Sequence, residues 1–188
     1  MFATYFDIGY RHIVSLAGFD HLLFIIVLCA VYHRNQWRRI LALLTGFTLG
    51  HSLTLALTAL HLVAFPQRVI ETLIPFTILA TSVANVVISN NNLGWRPFAI
   101  AGIFGLIHGC GFAGYFTMML GEEQSIVGPL FAFNVGLEAG QVVVVAVFYG
   151  LFAILERLQP IVQRDWALFV SGGGAALSIK MILDYWNA

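Results

Sequence analysis

Apolar residues fall along this chain in six long blocks, at 17–32, 40–64, 69–88, 97–120, 126–155 and 166–185, separated by short polar interruptions. A helix needs about 20 mainly apolar residues to cross the hydrocarbon core of a bilayer, so each block predicts one membrane span. The first block could extend back toward His12. Pro66 stops the second, and the polar run SNNNLG at 89–94 stops the third. Pro97 opens the fourth, where the first helical turn tolerates a residue without an N–H. Tyr32, Trp37, Trp95, Trp166, Tyr185 and Trp186 stand near block ends, as aromatics at the headgroup level do. The expected fold is an all-α, polytopic transmembrane bundle of about six spans, one domain over residues 1–188.

Composition strengthens this picture. Charged residues make up 10% of the chain and hydrophobic ones 60%, against roughly a quarter charged in soluble domains. A net charge of +0 argues against nucleic acid as a partner. No phosphate-binding loop is present, so ATP-driven pumping by this chain alone is excluded, and no nucleotide is expected. The first residues, MFATYFDIGYRH, carry no basic segment and no small-residue cleavage site, so no signal peptide is expected. Cys29 and Cys110 lie far apart in apolar runs, which speaks against a disulfide. Arg34, Arg38, Arg39, Arg96, Arg157 and Arg164 lie in odd-numbered loops, while Arg11, Arg68 and Lys180 lie on the other side with Glu122 and Glu123. The positive-inside rule then predicts cytoplasmic odd loops and both termini outside.

The ionisable residues within the blocks are few: Asp20, His21, His51, Glu71, His108 and Glu138. Each costs at least about 2.5–3.5 kcal/mol on insertion scales, which marks such groups as functional candidates. Asn134, Glu138 and Gln141 form one stripe on the fifth span, and Thr45, Thr48, Ser52 and Thr54 flank His51. At 1.5 Å per residue, His51, His108 and Glu138 all lie roughly 17–20 Å from the ends of their spans. Asp20 and His21 lie about 5 Å deep, or about 12 Å if their helix starts near His12. Those depths allow one shared layer, with Glu71 nearer the outer mouth. Imidazoles with carboxylates form a ligand set for Ni, Co, Zn or Fe, and a bound cation would keep a buried carboxylate anionic. Taken singly, a histidine in a span serves a neighbouring helix as readily as an ion; four helices contributing at one depth favour the ion. Adjacent residues project about 100° apart, so one of Asp20 and His21 could bind while the other orients a neighbour.

These residues sit in the blocks HIVSLAGFDHLLF (12–24), FTLGHSLTLAL (47–57), ETLIPFTI (71–78), FGLIHGCGFA (104–113) and FNVGLEAGQ (133–141). In this order they resemble the HupE/UreJ family of small multi-pass membrane proteins over nearly the whole chain. The resemblance implies an integral protein of the bacterial inner membrane that handles nickel or cobalt without ATP. The family's first motif, His, five residues, Asp-His, falls on His12, Asp20 and His21, but here seven residues separate His12 from Asp20. On a straight helix that spacing sets His12 and His21 about 180° apart, so His12 joins the site only if the helix starts late or breaks near Gly18. The second motif, Phe-His-Gly with a later Glu, matches at His108 and Gly109, with Ile107 for Phe and Tyr115 for Glu. Glu138 could supply that acid from the next span.

The leading expectation is a divalent-metal transporter whose site is Asp20, His21, His51, His108 and Glu138. His12, Glu71, Asn134, Cys110 and Gln141 are possible additional members, and no residue is assigned a catalytic role. A zinc-type intramembrane hydrolase and an accessory protein with a structural metal are the alternatives; a homo-oligomer is compatible with each. SGGG at 171–174 is expected to be a close-packed face, the alternative being an unwound segment as in transporters with broken helices.

Overall fold

The structure is a computed structural model that describes residues 1–87, 94–121 and 125–187. The polar run that stops the third block and the acidic pair Glu122 and Glu123 therefore lie outside the described residues, Gly94 excepted. Among the described residues there is no strand, and seven α-helices follow in order. They are α1 (Phe2–Val14), α2 (Phe19–Cys29), α3 (Trp37–Ala59), α4 (Gln67–Val87), α5 (Arg96–Leu120), α6 (Val127–Leu158) and α7 (Gln163–Trp186). Helices α3 to α7 are each long and apolar enough to cross a bilayer. Their outward faces carry Leu49, Leu53, Val83, Ile103, Val147, Leu151 and Phe169, all exposed, as lipid contact requires. The chain is an integral, multi-pass membrane protein.

The first block and the residues before it form two short helices at an angle, not one straight span. With 13 and 11 residues, α1 and α2 are about 20 Å and 16 Å long, and neither crosses about 30 Å of hydrocarbon alone. Ser15 is extended (φ −84°, ψ 153°), Leu16–Gly18 forms a 3₁₀ turn, and the axes bend by 66°. Gly18 makes this bend possible, because a Cβ there would overlap the His12 carbonyl oxygen. In a bilayer the freed backbone groups must find partners within the protein. At the far end of α2 they do. Asn85 Nδ2 donates to the Val27 carbonyl at 2.8 Å, Gln163 Nε2 to Ala30 at 2.9 Å, and the Tyr149 hydroxyl stands 2.9 Å from the Cys29 and Tyr32 carbonyl oxygens. Side chains of α4, α6 and α7 thus anchor the half-helix whose other end carries Asp20 and His21.

Small residues set the remaining packing. A Cβ on Gly50 would overlap the Gly102 carbonyl oxygen on α5, and one on Gly105 the Phe47 carbonyl oxygen on α3. Helices α3 and α5 therefore meet backbone to backbone, the close approach that small-xxx-small spacing permits. Gly9 on α1 and Gly136 on α6 do the same for that pair. The SGGG segment lies within the unbroken helix α7. Only part of it packs closely: Gly174 abuts Val27 and Ser82, while Gly172 and Gly173 face open space. The broken helix is at the other end of the chain.

Candidate metal centre

The break between α1 and α2 brings together residues that a straight helix would separate. His12 lies in the last turn of α1, and Asp20 and His21 lie in the first turn of α2. The fold-back at Gly18 sets His12 Nε2 3.3 Å from His21 Nε2, with ring centroids 4.4 Å apart. His51 comes from α3 and His108 from α5, at the level where Gly105 and Gly109 let those helices touch. A Cβ on Gly109 would stand 2.6 Å from the His51 carbonyl oxygen. The His21 ring lies 5.6 Å from that of His51 and 4.7 Å from that of His108.

Two overlapping groups result. His12, His21 and His51 each offer a ligand atom, all within 4.8 Å of one another, and so do Asp20, His21 and His108. His21 belongs to both. Its ring Nδ1 is 3.0 Å from Asp20 Oδ1, and its backbone N–H donates to the same oxygen at 2.8 Å. A carboxylate only accepts, so the Nδ1 contact places the imidazole proton on Nδ1 and leaves Nε2 bare, facing His12. Both bonds fall on Oδ1, which leaves Oδ2 for an ion. The cluster is enclosed by aromatic rings. The Phe112 ring lies tilted against His12 at 4.1 Å, Phe24 and Phe47 lie 4.9 and 5.2 Å from His108, and Phe133 lies 6.0 Å from His51.

His51 is fully buried, and neither of its ring nitrogens has a hydrogen-bond partner; His108 Nδ1 is likewise buried and unpartnered. Buried polar atoms in native proteins nearly always have partners. The His51 and His108 rings each keep a buried nitrogen free of any hydrogen bond, and each ring belongs to one of the two groups of close-set ligand atoms. Three imidazoles in one group, and two imidazoles with a carboxylate in the other, are donor sets that fit a first-row transition metal.

A cavity of about 560 Å³ leads to this point. His12, Asp20 and His21 form part of its wall, together with Asp7 and Arg11 on α1, Gln67 and Glu71 on α4, and Tyr115 on α5. His51 and His108 do not line it and lie deeper. Asp7 and Arg11 pair at 2.8 Å, and Gln67 Nε2 donates to Glu71 Oε1 at 2.7 Å.

The other residues singled out in the sequence lie elsewhere. Glu138 is half-buried on α6 and belongs to neither group. Cys110 donates its thiol to the Leu106 carbonyl at 3.2 Å and also stands outside both. Gln141 Oε1 accepts from Thr48 at 3.2 Å, which ties α6 to α3, and Asn134 Oδ1 is buried without a partner. Two more of the hydroxyls flanking His51 turn to backbone instead of to its ring: Ser52 donates to Thr48 O and Thr54 to Leu106 O. Sequence reasoning passed over Thr77, whose Oγ1 lies 2.9 Å from His108 Nε2, and the phenylalanine cage. In a helix of apolar and hydroxyl residues nothing in the spacing distinguishes Thr77 from Thr72 or Thr81.

A sequence model of the family described as HupE / UreJ protein matches residues 1–188, the whole chain. No curated protein and no solved structure matches it.

Proposed function

Because the chain belongs to the HupE/UreJ family, we propose that it carries a divalent transition metal, of the nickel or cobalt kind, across the bacterial inner membrane without ATP. The ion's ligands would be drawn from His12, Asp20, His21, His51 and His108. The observation that carries this reading is His51, fully buried with both ring nitrogens unpartnered beside two other imidazoles, those of His12 and His21. Packing alone gives no reason to bury such a group, because an unsatisfied polar atom costs about 1–3 kcal/mol. Neutral imidazoles bind nickel, cobalt and zinc in preference to magnesium or calcium, which favour oxygen donors.

The shape of the molecule supports movement of the ion. The cavity gives it a route past Glu71 and Asp7 to Asp20, where a carboxylate can accept a partly hydrated cation. Deeper in, His51 and His108 replace water with nitrogen. Beyond them Phe24 stands 6.0 Å from Phe104, whose ring borders a second cavity of about 300 Å³ with Tyr32, Thr81 and Asn85 in its wall. The ion would leave by this route when the aromatic rings part. A site at a helix break, between a route on one side and a closed barrier on the other, is the arrangement secondary transporters use for alternating access.

The test is uptake by proteoliposomes holding the purified protein, with Ni, Co, Zn, Fe and Mn compared. Nickel or cobalt uptake, abolished by His51→Ala, is expected. Equal uptake by the variant, or none by the wild type for any of the five ions, would overturn the reading.

A further inference from the structure

The histidines of the cluster can serve an ion only if each presents a bare nitrogen to it, and in a neutral imidazole one of the two nitrogens is protonated. Which one is bare depends on the hydrogen bond the other makes. For His108 that bond comes from α4, a helix that contributes no ligand of its own. Thr77 is buried there, and its hydroxyl donates to the Ile74 carbonyl one turn back at 2.7 Å. The same oxygen lies 2.9 Å from His108 Nε2. A hydroxyl has one proton. With that proton on the Ile74 carbonyl, Oγ1 meets His108 as an acceptor, so Nε2 must carry the N–H. The bare nitrogen is then Nδ1, the atom that is buried without a partner.

We propose that Thr77 is a positioning residue that holds His108 in its Nε2-protonated form and so makes Nδ1 the nitrogen offered to the ion. It works as Asp20 does for His21, with the opposite outcome. Asp20 accepts a hydrogen bond from the His21 Nδ1–H, so that Nε2 carries no proton; Thr77 accepts one from the His108 Nε2–H, so that Nδ1 carries none. Each ring is held in one tautomer by its partner; the unprotonated nitrogen of His21 faces His12 at 3.3 Å, and that of His108 has no partner. The pattern is the one that fixes metal-binding histidines generally, whose outer partners are nearly as important as the ligands themselves. The part of the proposal concerning the ion rests on the metal-binding reading above; the part concerning the proton does not.

The two parts separate in experiment. Protein labelled with ¹⁵N-histidine, purified metal-free in nanodiscs, reports the protonated nitrogen of each ring by NMR, with the His108 signals assigned through their loss in His108→Gln. The wild type is expected to show His108 protonated at Nε2. In Thr77→Val, which keeps the shape but removes the acceptor, His108 should shift toward the Nδ1-protonated form, and the affinity for Ni²⁺ alone should fall about 10- to 100-fold, the range for loss of such a partner. Thr77→Ser, which keeps the hydroxyl, should restore both. A wild-type His108 protonated at Nδ1 would overturn the proposal even if Thr77→Val failed to fold, and so would an unchanged proton position in a folded Thr77→Val. If the proton sits as expected but the wild type binds no Ni²⁺, the transport reading fails and the assignment of Thr77 to the proton stands.

Discussion

His51 touches no hydrogen-bonding group through its ring, so its removal separates an ion site from a structural one. His51→Ala should leave the metal-free protein folded in detergent, because no bond is lost and two unsatisfied nitrogens are relieved. Its affinity for nickel, measured by titration calorimetry, should fall by at least the roughly 10- to 100-fold expected for loss of an outer partner alone. Glu138 gives the converse expectation. It stands outside both groups of converging ligands, so Glu138→Gln should bind nickel close to the wild-type level in the same titration, whatever it does to transport rate. The residue types of the site were legible in the sequence, since Asp20, His21, His51 and His108 are ionisable groups in apolar surroundings. Their partners were not. Thr77 is chemically ordinary, and only its position 2.9 Å from His108 Nε2 distinguishes it from the other threonines of α4.

At the level of the element, the break between α1 and α2 decides whether the site exists. Gly18 is the residue to change, because a Cβ there meets the His12 carbonyl oxygen. Gly18→Ala should force the two half-helices apart, at about the 1–3 kcal/mol typical of overpacking. It should weaken nickel binding by separating His12 from His21, while circular dichroism stays helical. The opposite end of α2 makes a separate prediction. Tyr149→Phe removes the hydroxyl that lies between the Cys29 and Tyr32 carbonyls; both carbonyls keep another donor, the Tyr32 N–H and Gln163 Nε2, so the loss is that of one hydrogen bond, about 0.5–1.5 kcal/mol. Thermal unfolding in detergent should register that loss. The seven-residue gap between His12 and Asp20 is readable as a conflict with a straight helix, and Gly18 is readable as a place where the conflict could be relieved. That the relief is a 3₁₀ turn with a 66° bend depends on α1 docking on α6 and α2 on its anchors, which lie 58 to 133 residues away.

For the whole molecule, the cavity that reaches Asp20 opens beside Gln67 and Glu71, at the start of α4, and the second cavity lies toward Asn85 and Pro97. The positive-inside expectation, with Arg34, Arg38, Arg39, Arg96, Arg157 and Arg164 on the cytoplasmic side, predicts that the first cavity faces outside. In intact cells, Glu71→Cys should therefore react with a membrane-impermeant thiol reagent, and added nickel should slow the reaction if the ion passes that mouth. Labelling only after the cells are opened would reverse the orientation. The packing of α3 on α5 is the structural keystone of the same assembly. Gly105→Val would push Phe47 and His51 away from His108, and it should cost both stability and nickel binding.

The order of apolar blocks, their lengths and their interruptions determined that this chain is an all-helical membrane protein, because a bilayer admits little else from such a pattern. The scarcity of ionisable residues within those blocks also determined which side chains deserved a function, because burying each one is costly. The tertiary structure decided the geometry: that His12 meets His21 across a broken helix, that Glu138 stays outside both ligand groups, and that a threonine from α4 faces the back of His108. The reason is physical. Hydropathy is a sum over neighbours in the chain, whereas a hydrogen bond of 2.9 Å between residues 77 and 108 depends on how separate helices pack. Here that packing is set by glycines whose missing side chains leave no mark on hydropathy at all.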